Sequence, residues 1–238
     1  GFNGIEIDSI SNSLLDLTNN IINVKDGLYK KDLEKAEILK GKFEDIVNSD
    51  LSLVDKIYWL IQDVKRYGTL PFAGVARAGF IAIQMLRSFL DKEILSKKEY
   101  DAFLNSLNTV SKKLSVDAGI LSKSRFLKIY GHLRPGTYDI LSARYDEAYN
   151  FYFDGNNVKK EKVEESFCFS KDQRVRGEGL ILSCGLDTTF DNLILFIKES
   201  IEGRELIKFQ FTKHLSQVLK YIEEFGCSLG FSKEDLAY

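Results

Sequence analysis

The chain has little of the residue types that usually announce a function. In 238 residues it holds 3 cysteines, 2 histidines, 2 prolines and 1 methionine. Cys168, Cys184 and Cys227 are widely spaced, odd in number and form no C-x-x-C pair. A zinc ribbon or disulfide framework is therefore not expected, and reduced, cytosolic thiols are. The 2 histidines cannot hold a metal alone, and neither has a carboxylate at a supporting helical spacing. Charge of one sign is also missing. With 33 basic against 35 acidic residues the net charge is −2, which offers no bulk attraction for nucleic acid. The opening Gly1–Glu6 has neither the basic start nor the apolar stretch of a signal peptide. The most apolar stretch, Gly68 to Leu90, is interrupted by Pro71, Arg77 and Arg87, so no membrane span is expected and a cytoplasmic location is. There is no G-x-x-x-x-G-K-[ST], dinucleotide fingerprint, H-E-x-x-H or G-x-S-x-G. The sequence does not begin with Met, and its expected status is a piece of a longer protein.

What is abundant is helical periodicity, which predicts a mainly α fold. Apolar residues recur at helical spacing over Ile10–Ile22, Lys31–Val47, Leu53–Lys65 and Ser96–Leu114. Ser96-Lys97-Lys98-Glu99 has capping-box spacing. Pro71 to Leu90 is apolar around much of its circumference and reads as a central helix with Pro71 in its first turn. Thr188 to Phe225 is a long helix, with a break near Gly203 as one option and Gly226 as a stop. Arg174 to Gly185 is ambiguous because of its glycines. Phe151–Asn157 reads as an extended piece ending in a turn, with a small β-hairpin around Tyr152–Val158 as an option. Lys159 to Glu165 is a solvated charged stretch.

Ile129 to Tyr145 is different: an irregular central loop, punctuated by Gly131, Pro135 and Gly136. It gathers His132, Arg134, Tyr138, Asp139 and Arg144. Guanidinium forks bind carboxylate or phosphate, and imidazole donates to anionic oxygen or moves protons. The bland alternative is that Arg134 and Asp139 staple the loop to the helices. Arg77, a lone charge among Ala76, Ala78, Gly74 and Gly79, is expected to be buried and to need an anionic partner, internal or ligand. Gly177-Glu178-Gly179 reads as a turn rather than a phosphate cradle, and His214 as a surface or half-buried helical residue.

Tyr130-Gly131-His132-Leu133-Arg134-Pro135-Gly136, followed by Tyr138-Asp139-Ile140 and Arg144-Tyr145-Asp146-Glu147, resembles a segment of the phosphoenolpyruvate synthase/pyruvate phosphate dikinase-related phosphotransferases. Ala143 stands where that family usually has proline, and Pro135-Gly136 extends the turn. Gly203-Arg204-Glu205, Gly226, Leu229-Gly230 and Glu234–Tyr238 resemble the end of the family's helical substrate domain. With Gly68–Arg77, the segment looks similar to a sub-branch from bacterial capsule and surface-polysaccharide loci that includes the L-glutamine kinases of capsular phosphoramidate biosynthesis.

The resemblance implies a three-part enzyme. An ATP-grasp-like domain would bind ATP and Mg, a swivelling domain would carry phosphohistidine, and a central helical domain would hold the acceptor. Residues 1–238 would be that single acceptor-binding domain, binding no cofactor itself and inactive alone. In the glutamine kinases ATP and L-glutamine give AMP, phosphate and glutamine phosphorylated on its amide nitrogen. The implied partners are L-glutamine and the two other domains of the same chain, with no nucleic acid and no membrane. His132 would be the catalytic residue, stabilising the transferring phosphoryl group or assisting proton transfer at the amide. Arg77 or Arg134 would pair with the acceptor carboxylate, Asp139 or Glu178 with its ammonium, and Tyr138 and Arg144 would shape the pocket. The alternatives are another acceptor, such as pyruvate or a capsule precursor, or a non-catalytic helical interaction module marked by an exposed apolar stripe.

Overall fold

Small polar residues start the helices of this chain. The side chains of Asn3, Ser52, Ser96, Thr109, Ser122 and Ser170 each accept a backbone N–H three residues on. Each satisfies one of the donors that a helix start leaves without an intrahelical partner. At Asn3, Ser96 and Ser170 the exchange is reciprocal, with Glu6, Glu99 and Gln173 returning a bond to the cap.

The computed structural model describes residues 1–153 and 166–237. In order the helices are α1 (Gly4–Ile22), α2 (Leu28–Val47), α3 (Leu53–Asp63), a π-helical turn (Val64–Thr69), α4 (Leu70–Asp91), α5 (Lys97–Asn105), α6 (Val110–Ile120), α7 (Lys123–Tyr130), α8 (Tyr149–Tyr152), α9 (Lys171–Ser183) and α10 (Phe190–Ser228). A short 3-10 turn, Asp235–Ala237, follows. No strand occurs among the described residues, so the fold is mainly α. Phe151 and Tyr152, expected as extended, belong to α8. The rest of the expected hairpin and the charged stretch Lys159–Glu165 lie outside the described residues.

Several boundaries differ from the periodicity. The run expected over Ser96–Leu114 is two helices, because Ser106 closes α5 and Thr109 caps α6. The ambiguous Arg174–Gly185 segment belongs largely to α9, whose Ser170/Gln173 box offsets the weak propensity of Gly177 and Gly179. Gly203 does not break α10. A Cβ there would lie 2.5 Å from the Leu33 side chain and 3.7 Å from Val75, so the glycine serves close packing rather than a turn.

The chain divides into two compact units, and α2, α4 and α10 contribute residues to both. Unit 1 comprises Gly1–Glu34, Ala73–Leu107 and Val163–Arg204. Its core includes Ala78, Ala82, Leu86, Phe89, Phe103, Phe196 and Ile197. Phe103 is fully buried and packs edge-on or tilted against Phe167 and Phe169. Unit 2 comprises Lys35–Phe72, Asn108–Lys162 and Glu205–Tyr238. Phe43, Leu60, Val218 and Tyr221 form one cluster in it, and Phe126 gathers Tyr130, Tyr149 and Phe153 into another.

Pro71 and its neighbours do not interrupt the helical run. Proline has no N–H, and its ring crowds the carbonyl four residues before it, here Tyr67. The wider π turn at Val64–Thr69 immediately precedes α4 and accommodates this loss. Leu53–Asp91 is consequently long and apolar enough to cross a membrane by length and composition alone, with 33% of its most apolar window buried. Leu60, Val64, Val75, Ala82 and Leu86 from this run are buried, which gives its apolar composition a role in the cores.

Gly68, inside the π turn, sits so close to α10 that a Cβ would lie 2.7 Å from the Phe211 Cβ. Both atoms belong to backbone-anchored positions that cannot swing aside. Gly68→Ala should therefore lower unfolding stability by about 1–3 kcal/mol, an overpacking cost readable by denaturant titration.

Candidate functional site

A glycine-punctuated loop can be ordered only if its backbone groups find partners. Residues 131–148 find them largely within the loop. Tyr145 N–H donates to the Leu133 carbonyl at 2.8 Å and Asp146 N–H to the Gly131 carbonyl at 3.1 Å, closing the loop on itself. Gly136 N–H donates to Ser142 Oγ at 3.0 Å, and Leu141 N–H to Asp139 Oδ1 at 2.9 Å. Arg144 N–H donates to Glu147 Oε2 at 2.8 Å.

Three polar side chains of the loop are buried: His132, Arg134 and Arg144. Arg134 donates through Nη1 to the carbonyls of Asp139 (3.2 Å) and Ile140 (3.4 Å) and through Nη2 to Ser216 Oγ (3.4 Å). Ser216, itself buried on α10, donates its hydroxyl proton to the His132 carbonyl at 2.6 Å. One serine thus ties both functional candidates to the helix. Arg144 forms a two-point pair with Asp146, through Nε (2.9 Å) and Nη2 (2.6 Å), and reaches Gln217 Oε1 at 3.4 Å. The His132 ring packs edge-on against Phe209, 4.8 Å between centroids. Phe209, Ser216 and Gln217 lie at helical spacing, so this stretch of α10 is the scaffold that fixes the loop.

Burial sets the protonation of this region. His132 is pushed down to about 3, first by desolvation and then by the positive charges of Lys213 and Arg144. His214 is pushed down to about 4, again mainly by burial. Desolvation also draws the Arg134 guanidinium below its ordinary value. His214 is neither the surface nor the half-buried helical residue expected from sequence. It is fully buried, packs 5.0 Å edge-on to Phe43, and its Nδ1 lies 3.2 Å from the Gln210 carbonyl. A carbonyl only accepts, so that nitrogen carries the proton. Among the described residues, four buried atoms of this unit have no partner at hydrogen-bond distance, His132 Nε2, Arg134 Nε, Gln210 Oε1 and His214 Nε2, although the His132 ring faces the Phe209 and Ile129 backbone. Such atoms are uncommon, because each costs the desolvation of a polar group.

The remaining candidates are elsewhere. Tyr138 and Asp139 are exposed on the same loop. Arg77 and Glu178 belong to unit 1. Arg77 is exposed, which corrects the expectation of a buried charge. Helix α4 buries Val75, Ala78, Ala82, Leu86 and Phe89 and turns Ala73, Arg77, Phe80 and Gln84 outward. The stripe around Arg77 is apolar in composition but lies on the outer face, so no internal anion is needed. Glu178 accepts the Phe190 N–H at 2.6 Å and thereby caps the start of α10.

Unit 1 also has an open cleft of about 530 Å³ that sequence reasoning missed, lined by Ser96, Glu99, Ser170, Gln173 and Arg176 among others. Its polar groups satisfy one another. Gln173 Nε2 donates to Glu99 Oε1 at 2.9 Å, and Arg176 donates to the Lys92 and Glu93 carbonyls. The Ser96 bonds, followed by Gln173, hold the Glu99 carboxyl below its usual range. The signal in the sequence was the pair of capping boxes, Ser96/Glu99 and Ser170/Gln173, but only the fold makes them meet. Among the described residues, no cluster of His, Cys, Asp and Glu suited to a metal ion occurs.

No family model, curated protein or solved structure matches the chain.

Both histidines are neutral when folded and regain a pKa of about 6.5 on unfolding. The unfolded chain then binds more protons below that pH, so stability is lost as pH falls from about 6.5 toward the folded values of about 4 and about 3. At pH 5 the loss should be on the order of 2 kcal/mol for each ring. Denaturant titrations at neutral pH and pH 5 read this, and His132→Gln should remove about half of the difference.

Proposed function

We propose that the chain is the acceptor-binding part of an ATP-dependent, dikinase-like phosphotransferase, with L-glutamine as the acceptor. The reading rests on the resemblance carried by Tyr130–Ile140 and Arg144–Glu147. The observation that carries it furthest is that this same loop holds two of the buried nitrogens that lack partners, His132 Nε2 and Arg134 Nε. Partnerless buried groups concentrate where a ligand, water or reacting group supplies the missing contact.

The protonation states refine the roles. His132 is neutral near pH 7, held down to about 3, and is therefore a weak base. A neutral imidazole acts best as a hydrogen-bond donor to a developing anionic oxygen, the first of the two roles the resemblance implies. Arg134 is held rigid by two carbonyls and Ser216, which fixes its fork in one orientation for an acceptor carboxylate. Asp139, exposed on the same loop, supplies the carboxylate for the acceptor ammonium. ATP, Mg and the phosphohistidine belong to other domains in this reading.

Calorimetric titration with L-glutamine, L-glutamate and pyruvate tests this. Saturable binding of L-glutamine alone is expected. Arg134→Lys, which keeps the charge but removes the fork, should weaken it by about tenfold or more. Arg77→Ala, at an exposed position, should leave stability within about 0.5 kcal/mol, so any affinity it loses reports binding rather than folding. Pyruvate binding instead would keep the phosphotransferase and replace the acceptor. No binding of any of the three would overturn the reading.

A further inference from the structure

The net charge of −2 conceals an uneven distribution. Asn108 to Gly131 carries Lys112, Lys113, Lys123, Arg125 and Lys128 against a single acid, Asp117. This stretch is α6, the connection Leu121-Ser122 and α7, all within unit 2. The acids near it are already engaged. Asp117 accepts the Tyr130 hydroxyl proton at 2.8 Å. Glu205 accepts the N–H and hydroxyl of Ser111, and Asp146 holds Arg144. Lys113, Arg125 and Lys128 are exposed and have no ion pair among the described residues.

Cations alone make an ordinary solvated face. These stand beside apolar side chains that project into solvent. Ile120, the last residue of α6, is 72% exposed, and Phe151 of α8 is 82% exposed. Lys123 ties the two places together, because its Nζ donates to Asn150 Oδ1 at 3.2 Å and lies 4.7 Å above the Tyr149 ring. Phe126 of α7 packs against Tyr149 and Phe153 on either side of Phe151. The α6–α7 turn and α8 therefore form one edge of the unit, apolar at its tips and basic around them.

That combination has a specific chemistry. A lipid interface takes apolar side chains into the headgroup boundary and draws flanking lysine and arginine to anionic headgroups. Neither part suffices alone, since even a myristoyl chain gives marginal attachment without a second, basic signal. A nucleic-acid strand or an acidic peptide would use the cations and leave Ile120 without a role. We propose that the α6–α7 turn, with α8 beside it, docks on an anionic phospholipid surface, Ile120 and Phe151 entering the headgroup region and Lys113, Arg125 and Lys128 meeting the phosphates. The resemblance implies no membrane partner; this edge supplies one independently of it.

Co-sedimentation of the full chain with vesicles tests the surface. Binding is expected to phosphatidylcholine vesicles containing about a third phosphatidylserine, and it should be lost in about 1 M salt, where the screening length falls to about 3 Å. Vesicles of phosphatidylcholine alone should bind far less. Arg125→Gln and Lys128→Gln should each weaken binding about fivefold. Ile120→Ser should weaken it with an unchanged circular dichroism spectrum, because the side chain is already in solvent. Arg87→Gln, which removes the same charge from an exposed position on α4, should bind like the parent. A parent chain that ignores the anionic vesicles overturns the proposal, as does an Arg125→Gln, Lys128→Gln double variant or an Ile120→Ser variant that binds as well as the parent. A chain that binds poly-glutamate but not the vesicles would assign the edge to an acidic protein and also overturn it. None of these readouts involves glutamine, so this edge and the acceptor site stand or fall separately.

Discussion

The buried guanidinium of Arg134 dictates how the central loop is arranged. A charge taken out of water must be met by oriented oxygens, or the group is too costly to bury. The loop meets it by turning the Asp139 and Ile140 carbonyls inward, and α10 meets it with Ser216. The same serine holds the His132 carbonyl, so the histidine's backbone position depends on the arginine's partner. Arg144 repeats the device with Asp146 and Gln217. Two guanidiniums thus do for this loop what apolar side chains do for a helix, fixing its conformation by what they must contact. Under this reading, stapling and ligand recognition use the same groups. The staple leaves Arg134 Nε and His132 Nε2 without partners.

The burial that fixes the loop also sets its chemistry. A solvated histidine near neutral pH exchanges protons readily. Desolvation removes that capacity from His132 and His214 and leaves neutral rings that donate or accept single hydrogen bonds. Any phosphoryl chemistry near His132 would then be served by a fixed dipole rather than a mobile proton. Fixed dipoles need no reorganisation as charge develops.

Much of the fold was legible because helix formation is local. Asn3, Ser52, Ser96 and Ser170 each write a start within a few residues. The loop at Ile129–Tyr145 was legible as an interruption because glycine, proline and dense charge break the helical period. Where local signals conflicted, tertiary contact decided. Gly203 resembled a break and became a close approach to Leu33 and Val75. Pro71, by contrast, sits in the first turn of α4 as its missing N–H suggests, and the π turn only joins that helix to α3. For Arg77, the apolar neighbours that suggested burial lie on a face turned outward.

The sequence by itself determined a helical protein, the identity of its irregular loop and the candidate side chains within it. Those follow from periodicity and composition, which act over a few residues. Tertiary structure alone decided which of the candidates are buried and which atoms meet. His214 is buried because it packs against Phe43, far away in sequence. Arg134 and His132 share Ser216 for the same reason. Helix periodicity gives every residue on α1 a face, but only the packed unit determines that Leu15, Asn19 and Ile22 face inward and that Ile7, Ile10, Leu14 and Leu17 remain in solvent.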